Sequence, residues 1–283
     1  MDPARISALL EPFLPNDRRL TANELDLIST YIDLLLRWNS RINLTAIRDT
    51  EQIVTRHFGE SFFMARHLFP VSPEHTPPHP ALHKSCHSER SEANAERSRR
   101  TPTSSTDLGG NVHEAQECRS QLPAQGSQRI LDLGSGAGFP GLPLKIWNPE
   151  VHLTLVESNN KKVAFLREVI RALTLTNVNV IPERAEALVD HPAFPPPDII
   201  TFRAVEKFDQ VLGLALRLLV PPEATRPNQG SNPHPSVTSP RQPRLAILIG
   251  ASQVPTLSSL PMSWQSYSVP GSHGRSLMVT KLV

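Results

Sequence analysis

Four glycines fall within eight positions, Gly134, Gly136, Gly138 and Gly141, directly after the apolar run Ile130 to Leu133, which only Asp132 interrupts. Beyond them Leu142, Leu144 and Ile146 start a helical pattern, so the stretch reads as strand, glycine loop and helix. A loop of this kind lets a ligand approach the backbone more closely than a Cβ permits, under amide N–H groups and the positive end of a helix. The ligand chemistry this suits is a nucleotide-like small molecule. A tight βα turn holding no ligand is the plainer alternative.

Gly136, Gly138 and Gly141 also satisfy the dinucleotide fingerprint G-x-G-x-x-G. Two residues speak against a pyrophosphate. Pro140 stands where the first helical turn should donate and has no N–H to give. Asp132 would add negative charge beside a phosphate, but it could suit the cationic end of S-adenosylmethionine. The sequence apolar-Asp-apolar-Gly-x-Gly-x-Gly resembles motif I of the S-adenosylmethionine-dependent methyltransferases.

Further candidates sit where strands should end, because ligands of open parallel sheets bind at the carboxyl ends of the strands. The pattern predicts strands at Arg129 to Leu133, His152 to Val156, Val178 to Ile181, Asp198 to Phe202 and Leu245 to Ile249, and a closing hairpin from Ser263 to Val269 and Leu277 to Lys281. Helices are expected over Asn159 to Leu173 and Phe208 to Val220. Glu157 then ends the second strand and could accept hydrogen bonds from two ribose hydroxyls; capping the next helix is its other reading. Ala185 and Glu186 follow the third strand, where a backbone N–H or the carboxylate could read an adenine edge, although Glu186 could also be an exposed residue at a helix start. Arg203 closes the fourth strand and could hold a carboxylate, a phosphate or a base through parallel hydrogen bonds. The structural alternative for it is an ion pair with Glu206 or Asp132.

Upstream, Thr21 and Glu24 form a capping box for a helix to Asn39, and a second helix is expected from Thr50 to Leu68. Between them Trp38-Asn39-Ser40-Arg41-Ile42-Asn43-Leu44-Thr45 is a loop rich in hydrogen-bonding side chains, with Asn39 and Asn43 read first as helix caps. The chain of 283 residues has 28 prolines, about twice the usual share. They cluster, and two segments, 72–128 and 221–243, read as disordered insertions. The organisation expected is a helical extension over 1–71, the insertion, and an α/β domain over 129–283 with a Pro-rich loop at 221–243. Deleting 72–128 is therefore expected to spare folding and cofactor affinity.

A net charge of +2 does not by itself demand a nucleic-acid partner, although residues 221–283 carry five basic residues against Glu223. No segment has the length of a membrane span and no signal peptide is evident, so a cytoplasmic protein is expected. Both cysteines, Cys86 and Cys118, fall in the first insertion, leaving the sheet without a cysteine nucleophile. His79, His83 and His87 lie four apart beside Cys86, but flanking prolines make a helical metal face there doubtful, and no metal is assigned. After the fourth strand there is no Asn/Asp-Pro-Pro-aromatic tetrapeptide of the sort that serves exocyclic amines. A ring nitrogen with a free lone pair needs alignment more than a base.

Taken together, the Trp38 to Thr45 loop, Arg56-His57, the glycine loop with Phe139-Pro140-Gly141, Arg184-Ala185-Glu186 and Phe202-Arg203-Ala204 resemble the RsmG (GidB) family. The resemblance covers nearly everything outside the insertions. It implies a class I methyltransferase, a Rossmann-like seven-stranded α/β sheet closed by an antiparallel pair; a monomer is expected. It implies methyl transfer from S-adenosylmethionine to N7 of a guanine in 16S rRNA, free or within the 30S subunit. Carried over, the cofactor contacts fall on Gly134, Phe139, Ala185, Glu186 and Arg203; Gly136 and Glu157 join them from the residue reading, and Arg203 is the catalytic candidate. Three features depart from the family: the long first insertion, Glu60 where aspartate is usual, and Ile249 where a lysine usually precedes the glycine. The last would shift any grip on RNA towards Arg275, Lys281 and the N-terminal loop, or reduce activity. Two other functions remain open: an NAD-binding redox or sensing domain, and a catalytically silent RNA-binding relative.

Overall fold

The computed structural model describes residues 1–69, 127–189, 194–219, 243–260, 262–272 and 274–281. The histidines at 79, 83 and 87, both cysteines and almost all of the two expected insertions lie outside them. Residues Met1–Pro70 and Gln125–Val283 belong to one compact unit.

Seven strands form one sheet: β1 (Arg129–Leu133), β2 (His152–Val156), β3 (Val178–Ile181), β4 (Ile199–Arg203), β5 (Arg244–Gly250), β6 (Ser263–Ser268) and β7 (Arg275–Lys281). Their order is β3-β2-β1-β4-β5-β7-β6, parallel from β3 to β5, with β7 antiparallel between β5 and β6. The order reverses between β1 and β4, which places a ligand crevice at their carboxyl ends. Registers pair Leu133 with Val156 and with Phe202, so the glycine loop, Glu157 and Arg203 all emerge at one edge of the sheet.

Strand side chains alternate between faces. Ile130, Leu153, Ile199 and Leu248 pack on one face with α1 (Pro3–Leu10), α2 (Ala22–Asn39), α4 (Glu60–Leu68), α5 (Gly141–Trp147) and α6 (Asn160–Ala172). Leu131, Leu133, Phe202 and Ile249 face α7 (Phe208–Leu219) and α8 (Val254–Ser258). The second expected helix is present in three parts: α3 (Thr50–Gln52), a π-helical segment Ile53–Gly59, and α4. The capping box of Thr21 and Glu24 starts α2 as expected. Helix α1 was not anticipated, although Asp2 caps it and Pro3 stands in its first turn, both ordinary start signals. No helix among the described residues is long and apolar enough to cross a membrane.

Candidate functional site

The four glycines serve two different purposes. Gly134 and Gly136 have φ of +66° and +58°, and a Cβ on Gly136 would meet nothing nearer than 3.8 Å. They are glycines for their turn, and they leave the backbone bare towards the crevice. A Cβ on Gly141 would instead lie 2.6 Å from Leu155 and 2.9 Å from the Asp132 carboxyl, so this glycine lets α5 press onto the sheet. Gly138 likewise packs on Tyr31 and Leu142. One ligand-based reason for all four glycines therefore gives way to two reasons.

Asp132 does not open onto the crevice. It is fully buried, on the same face as α5, and its Oδ1 accepts a hydrogen bond from the Thr201 hydroxyl at 2.9 Å. Burial pushes its carboxyl up to about 7, against the pull of the Thr201 hydrogen bond. It is thus a support beneath the loop, where direct contact with a cationic ligand had been expected. The loop is also tied to the helical extension. The Tyr31 hydroxyl donates to the Ala137 carbonyl, and the Phe139 ring stacks between Tyr31 and His57, with centroids 5.2 and 4.6 Å away. That ring is committed to packing, so any contact of Phe139 with a cofactor is left to its backbone.

Glu157 ends β2 nearly buried, one oxygen accepting from the Gly136 amide at 2.9 Å and the other from the Asn159 amide at 2.8 Å. The cap of α6 is Asn159, whose side chain accepts from Lys161 and Lys162, so the capping alternative for Glu157 does not hold. Each of its carboxylate oxygens keeps a lone pair for a further donor. Ala185 and Glu186 open a 3₁₀ turn after β3, with Ala185 half-buried and Glu186 exposed.

Arg203 closes β4 on the same face as Thr201, which turns it towards the helical extension. Its partner is neither Glu206 nor Asp132. It pairs with Glu60 at 3.2 Å, the two side chains 8% and 2% exposed. Arg275 of β7 pairs with the other oxygen of Glu60. Glu60, noted in the sequence only as a departure, is therefore the hinge of the site. Arg203 Nη1 and His57 Nδ1 are buried without a hydrogen-bond partner. Burial, opposed by Glu60, brings the Arg203 guanidinium down to about 10, so it remains protonated at neutral pH. His57 is pushed down to about 3, first by burial and then by the guanidiniums of Arg203, Arg56 and Arg275, and is neutral. Its Nε2 meets the Thr45 hydroxyl at 2.8 Å.

The Trp38 to Thr45 loop spends much of its polarity internally. Asn39 caps no helix: its Oδ1 accepts from the Leu44 and Thr45 amides and its Nδ2 donates to the Thr45 carbonyl, closing the loop. Asn43 accepts from Arg48, which also donates to the Asn39 carbonyl. Arg41 is left exposed. Ile249 is buried against α7 and α8, where an ammonium would have to leave water.

A sheet of this order and mixed direction, with the glycine loop and the acid after β2 at its carboxyl edge, defines the class I methyltransferase fold. The family profile for GidB, rRNA small subunit methyltransferase G, matches residues 24–71 and 113–234. Two proteins named ribosomal RNA small subunit methyltransferase G, from Xanthomonas oryzae pv. oryzae and Xanthomonas axonopodis pv. citri, are 31% and 30% identical to this chain. Each alignment spans 83% of the chain and 82% of the relative. The chain belongs to this family.

Proposed function

We propose that the protein transfers a methyl group from S-adenosylmethionine to N7 of a guanine in 16S rRNA, as a cytoplasmic monomer, with the cofactor held at the carboxyl ends of β1 to β4. What carries the reading is the join of family membership to one geometric fact: the bare, positive-φ backbone of Gly134 and Gly136 lies at the same edge of the sheet as Glu157 and Arg203, which follow the paired ends of β2 and β4. The cofactor fits these groups. Its ribose would find lone pairs on Glu157, its adenine the Ala185 N–H and the Glu186 carboxylate, and its carboxylate the spare Arg203 nitrogen. Gly134, Gly136 and the Phe139 backbone would line its path.

Bound there, the cofactor supplies an electrophilic methyl carbon on a sulfonium. Guanine N7 carries a lone pair and no proton, so the chain need not supply a base; its work is alignment and exclusion of water. Arg203 is suited to alignment because Glu60 fixes one side of its guanidinium while Nη1 stays free. Neutral His57, sealed against Phe139 and Thr45, props the loop without adding a charge beside the sulfonium. A dinucleotide reading has no support from the family, and Pro140 still removes an amide from the turn. Titration calorimetry of the protein with S-adenosylmethionine and, separately, NADH tests the cofactor: heat of binding with the former alone is expected, and binding of NADH alone would overturn it.

A further inference from the structure

Between α1, the π-helical segment and the turn joining β6 to β7 lies a cavity of about 630 Å³. That is the size of an ordinary small-ligand site. Leu9, Pro12, Phe13 and Pro270 give it apolar walls, and Arg56 and Arg275 bring guanidiniums to it. Glu60 is part of its lining, so it adjoins the Glu60–Arg203 pair.

The charge around it is unbalanced. Arg56, Arg203 and Arg275 act together on His57, and Glu60 is the carboxylate that Arg203 and Arg275 share. Glu60 is committed to Arg203 and Arg275, while Arg56 is exposed and has no hydrogen bond or ion pair among the described residues. Arg275 is 31% exposed, and a guanidinium with one carboxylate partner still has N–H groups to donate. Guanidiniums gathered beside apolar walls repel one another in a medium that screens poorly, and an anion entering between them relieves that repulsion. Arginine pairs bind phosphate oxygens in this way, while a ring and prolines offer a surface for a base or ribose. The site is also built for closeness: a Cβ on Gly59 would come within 2.7 Å of the Phe13 ring, so Gly59 is what lets that wall stand against the π-helical segment.

We propose that this cavity receives one nucleotide of a single-stranded RNA, its phosphate between Arg56 and Arg275 and its base or sugar against Pro12 and Phe13. It would hold a neighbour of the modified base, next to the arginine that positions the cofactor. The inference rests on RNA being the substrate.

The test is fluorescence anisotropy of the full chain with a labelled single-stranded RNA 10-mer across a salt series, for wild type, Arg56→Glu, Ala8→Trp and the remote control Arg171→Glu. Arg56 and Arg171 are exposed, and Ala8 lies at the cavity mouth. Arg56→Glu should weaken binding on the order of tenfold and lower the salt slope by roughly 0.7, the value of one phosphate on a single strand. Ala8→Trp changes no charge but fills the cavity, and should weaken binding by a similar factor; Arg171→Glu should stay within about twofold, the range of a remote surface charge. Full affinity in Ala8→Trp, or equal losses in both arginine variants, would overturn the cavity as the site. Calorimetry with S-adenosylmethionine on the same variants keeps the outcomes apart, because a lost cavity site leaves cofactor binding intact, whereas wild type that ignores S-adenosylmethionine defeats the proposed function instead.

Discussion

Replacing Glu60 by Gln removes the single negative charge between Arg203 and Arg275 while keeping the side chain's size. At 3.2 Å, the Glu60–Arg203 pair is worth about 5 kcal/mol of Coulomb attraction at an effective dielectric of 20. Both groups are nearly buried, so solvent takes little of that back, and the amide still offers one oxygen as acceptor. Loss of one partner of a buried pair typically costs about 3–5 kcal/mol, because the other charge is left stranded. The Arg275 contact is partly exposed and adds at most about 1 kcal/mol. Glu60→Gln is therefore expected to lose about 3–5 kcal/mol in urea unfolding with an unchanged m-value. Arg203→Ala should be destabilised on the same scale, since it strands the buried Glu60 carboxylate in turn. Arg203→Met combined with Glu60→Leu should recover much of the loss, yet remain inactive if Arg203 holds the cofactor. A loss below about 1 kcal/mol in Glu60→Gln would mean that the cluster is solvated, and would refute its treatment as the organiser of the site.

Gly136→Ala should fold, at a strain of about 1–2 kcal/mol for its positive φ, but lose cofactor affinity in calorimetry; undiminished affinity would remove the loop from the site. Gly141→Ala should lose about 1–3 kcal/mol in stability because its new methyl meets Leu155 and Asp132, and a neutral result would contradict the packing described. His57, lowered to about 3, makes the folded state less stable as pH falls through 6.5, where the unfolded histidine takes up a proton. Asp132, raised to about 7, contributes stability that is present at low pH and lost as pH rises from 3.8 towards 7. The two slopes oppose each other, so Asp132→Asn should uncover the histidine term and lose about 2 kcal/mol of stability between pH 6.5 and pH 5, relative to wild type. An equal pH profile for both would refute the assignment. Ile249→Lys should destabilise by a few kcal/mol without improving RNA binding, since the new ammonium would point into the core.

The parallel strands were legible because each is a largely apolar stretch with a clear end, and Arg203, Glu157 and the glycine loop followed from their places at those ends. Tertiary pairing was the illegible part. Glu60, Arg203 and Arg275 lie far apart in the chain, and no local pattern links them. Side-chain alternation offered one clue: Arg203 shares the parity of Thr201 and Asp132, so it had to face the helical extension and not Glu206. The roles of the glycines depended on what lies over each one, which spacing cannot express. Asn39 illustrates the same limit, since its two amide atoms close a loop whose shape is set by Arg48 and Thr45.

Incubation of the protein with methyl-labelled S-adenosylmethionine and 30S subunits lacking this modification, followed by digestion of the 16S rRNA to nucleosides, tests the central claim most directly. One labelled 7-methylguanosine per RNA is the predicted product. Label in any other nucleoside, or no label in either free 16S rRNA or 30S subunits, would contradict it, and the absence of label would favour a silent RNA-binding relative.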